Sequence, residues 1–425
     1  MSDTIEHKCP SCGGSLQFDI GSQKVKCPYC GCEFDVSDLS KNEGDLSISA
    51  DNIELASDAG SEWDQKEMYG MSEYQCQSCG GDIYSDENTS ATMCPYCGNA
   101  VMLKGRLSGV LKPDKVLPFQ KDKEQALKSL EEHCGGKRFV PKKFLDNNKL
   151  EEIKGLYVPF WVYDADLEAD VTYEGVNVRT WTSGKTEYTE RKYYRVRRAG
   201  NIAFDHVPAD GSSKMPDDLM ESLEPFDYDK AATFTTGYLS GYVADKYDLD
   251  QDAVRPRVKA RMAQGAADAF GSTVKYDEVR VKSSDIKATS SHAEYVLYPV
   301  WLMNTDWDGR KFTFAMNGQT GKTVGNLPVD KAKLVSVALG IFLGIAILLS
   351  LGAYIMDPDY VVDGILGGLI LGGIIAAAVY GYYKGQLKSV DFQKSAYNYY
   401  RNDSMKIEVK EDEFLYKETT SRSTD

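Results

Sequence analysis

Two long apolar runs stand out near the C-terminal end of the chain. Residues 334–355 contain 22 amino acids without a charge, and residues 365–383 add 19 more. Each run is long enough to cross a hydrocarbon layer of roughly 30 Å as a helix. A short acidic link, residues 356–363, joins them. The pattern therefore predicts a two-helix transmembrane hairpin, with helices over 334–355 and 361–383.

The region from 105 to 330 mixes two periodicities. Residues 121–133 and 252–270 place apolar side chains at spacings of three and four, as amphipathic helices do. Residues 155–173 and 185–198 are rich in Tyr, Val and Thr, which favours strands. We therefore expect a mixed α/β middle domain over 105–330.

A short internal echo lies within this domain. Residues 157–166 resemble residues 297–306 at an offset of 140 positions, so that Trp161 corresponds to Trp301. In both copies an apolar strand precedes a charged turn. The echo favours a duplicated unit that contains β-strands. The alternative is a chance similarity between two buried strands.

The remaining non-membrane segments are polar. Residues 36–72 are rich in Ser, Asp, Glu and Gly, and Lys41 is the only base between residues 38 and 64. This composition predicts a flexible acidic linker. Residues 384–425 form a polar tail, in which 406–416 alternates enough for a strand and the last residues are expected to be disordered.

The cysteines form two copies of one pattern, C-x₂-C-x₁₄-C-x₂-C, and a glycine follows each pair. Four thiolates suit a tetrahedral Zn²⁺ and leave no position open for water, so the sites are structural. Iron in a rubredoxin-like site is the main alternative. We predict zinc ribbons over 1–35 and 73–104, with two Zn²⁺ per chain. The eight predicted ligands are Cys9, Cys12, Cys27, Cys30, Cys76, Cys79, Cys94 and Cys97.

Two of the ten cysteines fall outside this pattern. Cys32 is either a spare ligand or a small side chain beside the first site. Cys134 follows His133, but adjacency in sequence does not make a nucleophile–base pair. His206 and His292 are isolated, and we expect both to be structural. No catalytic motif can be recognised, so the chain is not expected to be an enzyme.

Charge and flanking residues indicate location. The 425-residue chain has a net charge of −15, which weighs against a dedicated nucleic-acid binder. Its start is polar, which argues against a signal peptide and for reduced cysteines in the cytosol. Bases flank the hairpin at Lys331, Lys333, Lys384 and Lys388, whereas the link carries Asp357, Asp359 and Asp363. The positive-inside rule therefore predicts a multi-pass protein of the inner (cytoplasmic) membrane with both termini in the cytoplasm.

Glycines recur at helical spacing in both membrane runs. Gly340 and Gly344 form one G-x-x-x-G motif, and Gly364, Gly368 and Gly372 form a double one. Such stripes let helix backbones approach closely in lipid. They predict close packing within the hairpin, homo- or hetero-oligomerisation, or both.

The order of these parts resembles a known family. Knuckles that end in CPYCG resemble the TFIIB-type zinc ribbon. Followed by motifs at 116–119 and 298–302 and by two membrane helices, they resemble a family of Gram-positive membrane proteins. That family is associated with envelope-stress systems built around phage-shock protein A. The resemblance implies a membrane anchor that recruits soluble proteins, such as phage-shock protein A type or coat-like proteins.

Three functions follow from these features. The first is a non-catalytic zinc-ribbon scaffold that recruits protein partners to the cytoplasmic face of the membrane. The second is a membrane-tethered nucleic-acid-binding or transcription-type protein, which the scarcity of bases in the ribbons disfavours. The third is a lipid-binding or enzymatic middle domain. Its one dense basic stretch could meet anionic lipid headgroups or form a solvated strand face, and it comprises Arg191, Lys192, Arg195, Arg197 and Arg198.

Overall fold

The structure is a computed structural model, and it describes most of the chain. The described residues are 17–19, 24–26, 33–34, 48–86, 89, 91, 93–135, 137, 139–141, 144, 153–308, 310–356, 361–386 and 389–423. Three short antiparallel strands belong to the first cysteine region: β1 (Gln17–Asp19) and β2 (Lys24–Lys26) lie between Cys12 and Cys27 in the sequence, and β3 (Glu33–Phe34) follows Cys32. The four cysteines themselves, Cys9, Cys12, Cys27 and Cys30, lie outside the described residues, as does Cys32.

A mixed sheet of twelve strands forms the described body. Its main path runs β10-β7-β12-β8-β11-β5-β4-β6, and the other four strands branch from it. The strands are β4 (Met71–Cys76), β5 (Asp82–Asp86), β6 (Val101–Arg106), β7 (Lys115–Val116), β8 (Lys154–Ser183), β9 (Thr186–Asp210), β10 (Ala232–Thr233), β11 (Val243–Asp245), β12 (Glu278–Trp307), β13 (Arg310–Asn317), β14 (Thr323–Val324) and β15 (Lys406–Ser423). A mixed α/β, sheet-rich body is thus confirmed.

Six α-helices accompany these sheets in the described part of the chain. They are α1 (Gln65–Tyr69), α2 (Lys123–Cys134), α3 (Asp217–Ser222), α4 (Gln251–Gly271), α5 (Lys331–Met356) and α6 (Val361–Gln386). The two helices predicted in the middle domain correspond to α2 and α4. Asp122 begins α2 with a capping box to Gln125, and Asp250 caps α4 through the Ala253 N–H.

The long helix α4 packs on one face of the curved strands β8, β9 and β12. Its buried side chains recur every four residues at Val254, Val258, Met262 and Ala266, so one stripe faces the sheet. Along β8 buried and more exposed residues alternate from Ala165 onward, as expected for a strand covered on one face only.

The two echo segments are neighbouring antiparallel strands with matching contacts. In β8 the Trp161 indole N–H donates to the Leu249 carbonyl oxygen at 2.8 Å, just before α4. In β12 the Trp301 indole N–H donates to the Lys121 carbonyl oxygen at 2.8 Å, just before α2. Each tryptophan therefore anchors the entry to a helix. The two indole hydrogen bonds are equivalent contacts in the two copies of the repeated unit.

The backbone repeats the same relationship. The Gly211 N–H donates to the Pro159 carbonyl oxygen at 2.8 Å, and the Gly318 N–H donates to the Pro299 carbonyl oxygen at 2.8 Å. Moreover β11 pairs in parallel with β8, and β7 pairs in parallel with β12 in the equivalent register. Each copy has the order β-α-β-β, and the first strand and helix of one copy pack on the hairpin of the other. These matched contacts support a duplicated unit over chance similarity.

The described part of the acidic segment, residues 48–72, differs from the flexible linker predicted over 36–72. Within residues 48–72, Ile53, Leu55 and Ala59 are buried in the main core. The segment follows the edge of β12, where the Asp58 carboxylate accepts from the Ala293 N–H at 3.0 Å. Hydrophobic side chains spaced among the acids therefore hold this stretch on the sheet.

The C-terminal tail also differs from its prediction. The strand expected over 406–416 extends to Ser423 as β15, and it pairs with β9 along its length. The residues expected to be disordered are therefore paired as far as Ser423. Strand β15 is therefore added to the sheet beside β9.

Helices α5 and α6 contain the two predicted membrane runs. Both are long and apolar enough to cross a membrane, and only 6% and 11% of their most apolar windows are buried. Exposed apolar side chains of this extent argue against core helices of a water-soluble domain. At their base Leu334 is buried, and the Tyr383 ring lies 4.7 Å from that of Phe139, so the hairpin packs on the body.

Only some of the glycines at helical spacing lie at the contact between α5 and α6. A methyl group at Gly368 would lie 2.7 Å from Ala346 Cα, and one at Gly372 would lie 2.9 Å from the Phe342 carbonyl oxygen. These two glycines let α6 approach α5. By contrast, Gly340 and Gly344 of α5 have open space beside them. Close packing within the hairpin therefore uses one stripe and leaves the other uncovered by described residues.

Candidate metal centre

Four cysteines of the second cluster converge at the end of β4. The Sγ atoms of Cys76, Cys79, Cys94 and Cys97 all lie within 4.8 Å of one another. Cys76 and Cys97 are 3.5 Å apart, and Cys79 and Cys94 are 3.6 Å apart. Four sulfurs around a tetrahedral Zn²⁺ at ~2.3 Å would be about 3.8 Å apart. The arrangement therefore fits one thiophilic metal ion.

Two matching turns bring the sulfurs together. The Gly80 N–H donates to the Cys76 carbonyl oxygen at 2.9 Å, and the Gly98 N–H donates to the Cys94 carbonyl oxygen at 3.0 Å. Both glycines have a left-handed φ, 69° at Gly80 and 74° at Gly98, which other residues rarely adopt. This conformation explains why a glycine follows each of these cysteine pairs.

The thiols have unequal environments. Burial alone would raise the pKa of Cys97, but N–H donors of Asn99 and the neighbouring sulfurs lower it to about 7. Burial raises the pKa of Cys94, which lies on the inner side of the cluster. Because a bound cation favours thiolates, loading the metal would release the proton that burial holds on Cys94. With four protein ligands the site has no open position for catalysis.

The metal centre is joined to the α/β body and is not a separate domain. Strand β5 pairs antiparallel with β11, so the ribbon strands continue the main sheet. Three body side chains also reach the knuckle backbone. Asn304 Nδ2 donates to the Pro95 carbonyl oxygen at 2.7 Å, Lys154 Nζ to that of Cys94 at 3.4 Å, and Lys214 Nζ to that of Cys79 at 3.0 Å.

A half-buried tyrosine inside the knuckle adds to the contact with the body. Tyr96 packs against the core face shared by β8 and β12, near Asp245 of β11. Asp245 is buried, and its Oδ2 atom has no hydrogen-bond donor among the described residues. Burial raises the pKa of Asp245 to about 7. Sequence reasoning missed these residues, because only the fold places Asn304 and Asp245 beside the knuckle.

The outer edge of the ribbon is apolar. Strand β6 ends the main path of the sheet, and within the described residues it pairs with β4 alone. Met102 and Leu103 on this strand are exposed by 61% and 63%. Exposed apolar side chains on an open edge strand are typical of protein-docking surfaces. We call Met93, Met102 and Leu103 the ribbon edge.

Cys134 and the histidines His133, His206 and His292 lie outside the four-cysteine cluster. Cys134 is buried, which raises its pKa to about 11, and the neighbouring His133 Nε2 lies 3.1 Å from the Gly325 carbonyl oxygen. His292 pairs with Asp58 at 2.9 Å, as a structural histidine would. His206 is different, because it has a left-handed φ of 59° beside a cavity.

The basic stretch of β9 is neutralised by carboxylates. Each of its five cations has an acidic partner, and Arg198 is buried against Asp412 at 2.6 Å. Paired cations on a strand face leave little charge to attract lipid headgroups. The interpretation as a solvated strand face fits better. The pairs are Arg191–Glu278, Lys192–Glu190, Arg195–Glu413, Arg197–Asp170 and Arg198–Asp412.

Comparison with known proteins gives one informative relative. The Bacillus subtilis (strain 168) protein YdjG is 33% identical to the chain over 357 residues, which cover 84% of this chain and 99% of YdjG. The chain belongs to the YdjG family. YdjG itself is described as uncharacterized, so family membership brings no function with it. No protein-family model matches the chain, and no solved structure matches it significantly.

Proposed function

We propose that this YdjG-family chain is a non-catalytic scaffold that recruits a soluble protein to the cytoplasmic face of a bacterial membrane. One observation carries the proposal. A cluster of four cysteines directly precedes an edge strand with exposed apolar side chains, in the same chain as two membrane-length helices. The metal holds the docking strand, and the helices hold the metal-bearing body at the lipid.

Zinc is the metal we assign to this site, because four thiolates and no open position are typical of structural Zn²⁺. The equal spacing of the first cysteine cluster supports a second ion, which gives two per chain. The two ribbons thus present two rigid surfaces. The resemblance to envelope-stress proteins points to a partner of the phage-shock protein A type or another coat-like protein.

The orientation follows from the bases around the hairpin. They place both termini, the ribbons and the α/β body in the cytoplasm, and the acidic link outside. The exposed glycine motif of α5, Gly340 and Gly344, offers a second contact for homo- or hetero-oligomers in the membrane. The membrane is then the place where the oligomer assembles, and its lipids are not bound as specific ligands.

Nucleic-acid binding is disfavoured by the surface of the second ribbon. No Lys or Arg occurs between Cys76 and Cys97, and Lys104 on β6 pairs with the buried Glu73 at 2.8 Å. A ribbon that contacts phosphates needs free cations. The exposed apolar edge suits a protein partner instead.

The experiment is an affinity isolation of the tagged full chain from native membranes in mild detergent. We compare the wild type with Cys76→Ser/Cys79→Ser, and we use Cys134→Ala as the matched control because Cys134 lies outside the cluster. The proposal predicts a peripheral, coat-like membrane protein with the wild type and the control, and its loss from the double variant. Equal recovery from all three, or recovery of nucleic-acid machinery, would refute the scaffold.

A further inference from the structure

A cavity lies where the segment after the membrane hairpin crosses the end of β9. Its volume is about 570 Å³, within the range of small-molecule sites. Neither the metal centre nor the ribbon edge contributes to it. It is lined by rings and by a few charged groups, which together define the chemistry of a ligand.

Six ring-bearing side chains line this cavity. The His206 and Tyr228 rings stack with centroids 3.8 Å apart, and Phe226 lies 4.7 Å from Tyr298. Tyr399 and Tyr400 complete the wall from the segment that follows the hairpin. A wall of several aromatic faces attracts cations through the ring quadrupoles, and most strongly those that are weakly hydrated.

Two of these phenols donate to carboxylates behind the wall. The Tyr228 hydroxyl donates to Glu294, and the Tyr399 hydroxyl donates to Glu224 at 2.6 Å. A phenol that donates to a carboxylate has a more electron-rich ring. Lys115 Nζ already lies 5.0 Å from the Tyr228 centroid, in keeping with such a ring.

The charged groups at the cavity are mostly acidic. Arg401 is shared between Asp205 at 3.2 Å and Asp166 at 3.3 Å. Asp229 is exposed at the rim. Among the lining residues, Asp205 and Asp229 are acidic and Arg401 is basic, so the local field favours a cationic guest.

Backbone strain marks the same place. His206 has a φ of 59° at a bulge in β9, and its N–H donates to Asp164 Oδ1 at 2.6 Å. A left-handed histidine costs free energy, and such strain persists where the surroundings hold a functional geometry. Here it sets the His206 ring against Tyr228.

The internal duplication shows what is special about this end of the sheet. Asp164 and Glu294 occupy positions equivalent to Asn304 and Lys154, at the offset of 140 residues. At one end of the β8–β12 pair, Asn304 and Lys154 donate to carbonyl oxygens of the four-cysteine knuckle. Towards the other end, the two acids face His206 and Tyr228 beside the cavity. The side chains that donate hydrogen bonds to the knuckle, Asn304 and Lys154, are thus replaced at the equivalent positions by the acceptors Asp164 and Glu294.

We propose that this aromatic, acid-rimmed cavity binds an organic ammonium ion, with a quaternary or alkylated ammonium group against the rings and the carboxylates at the rim. The assignment does not depend on the metal or on a protein partner. Phe226, Tyr298 and Tyr400 supply ring surface, and Asp205 and Asp229 supply the charge.

The test measures binding of choline to the full chain in detergent micelles by isothermal titration calorimetry. The matched probe is 3,3-dimethylbutan-1-ol, which has the same shape without the charge. The proposal predicts that choline binds at least about tenfold more tightly than the alcohol, since the ring quadrupoles attract the cation and not the neutral alcohol. Equal affinities, or no choline binding at millimolar concentrations, would overturn it.

Two variants locate the site. Tyr400→Leu removes one ring, and Asp229→Asn removes an exposed charge without changing the fold, so each should weaken choline binding several-fold. Tyr69→Leu alters a tyrosine exposed by 62% on the ribbon side and should leave binding unchanged. Unchanged binding in both cavity variants would place choline elsewhere and refute the assignment.

Discussion

Asn304 on β12 donates its amide N–H to the carbonyl oxygen of Pro95, inside the Cys94–Cys97 knuckle, at 2.7 Å. The Asn304 Oδ1 atom accepts in turn from the Thr313 hydroxyl at 2.7 Å. One amide therefore connects the metal centre to the hairpin of β12 and β13. This contact makes the second ribbon part of the body, and it can be tested directly.

Asn304→Ala should loosen the knuckle. Loss of one buried hydrogen bond costs about 1–2 kcal/mol, and the Pro95 carbonyl would be left without its partner. We expect faster loss of zinc to a chelator and a lower midpoint of denaturation for the metal-loaded protein. Asn177→Ala, at an exposed site on β8, is the control. Identical chelation rates in the two variants would mean that the contact does not hold the knuckle.

Asp245 gives the body a pH dependence. Its pKa is raised by burial to about 7 in the folded chain, against an ordinary value of 3.8. The folded state therefore binds the proton more tightly, and stability falls as pH rises through this window. Asp245→Asn should stabilise the protein more at pH 8 than at pH 5, by about 2–3 kcal/mol, from 1.36 kcal/mol per pKa unit.

Urea denaturation at the two pH values measures this difference. Asp403→Asn is the control, because Asp403 is exposed and its left-handed φ of 66° suits asparagine. A gain for Asp245→Asn that is the same at both pH values would show that the carboxylate does not titrate as stated.

Gly368 and Gly367 provide a matched pair in α6. A side chain at Gly368 would meet Ala346 Cα at 2.7 Å, whereas Gly367 has open space. Gly368→Leu should separate the helices at a cost of about 1–3 kcal/mol, and Gly367→Leu should not. Hydrogen–deuterium exchange in nanodiscs should be roughly tenfold faster in α5 for the first variant only. Equal exchange in both would contradict the packing.

The proposed topology predicts which cysteines can be labelled from outside the cell. Asp359→Cys should react with a membrane-impermeant maleimide in whole cells, and Ser421→Cys, on exposed β15, should be protected until the cells are opened. Ser389 is unsuitable as the inner position, because its hydroxyl is bonded to Gly325 at 2.8 Å. Labelling of Ser421→Cys alone in intact cells would reverse the orientation.

The local features of this chain were predictable from sequence. The cysteine spacing fixes the chemistry of a four-thiolate site, and the uninterrupted apolar runs correspond to α5 and α6. The four-residue spacing of Val254, Val258 and Met262 is enough to identify α4. In each case neighbours within a few turns of chain decide the outcome.

Long-range placement was not predictable in the same way. The acidic average composition of residues 36–72 gave no sign that Ile53 and Leu55 would be buried. Their burial depends on β12, which lies more than 200 positions further along the chain. The pairing of β15 with β9 joins segments separated by the membrane hairpin. The knuckle contacts of Asn304 and Lys154 depend on the pairing of β8 with β12, and the cavity also needs the segment 398–402 that follows the hairpin. The sequence echo indicates that there are two copies, but it does not show how the strands of the two copies pair.

Recruitment at the ribbon edge is tested most directly by photocrosslinking in living cells. A photoreactive amino acid replaces Leu103 on the ribbon edge or, as a control, Arg280, which is exposed by 72% on the far part of β12. We expect one adduct with a peripheral, coat-like membrane protein from position 103, lost in Cys76→Ser/Cys79→Ser and absent at position 280. No adduct from position 103, or the same adducts from both positions, would contradict it.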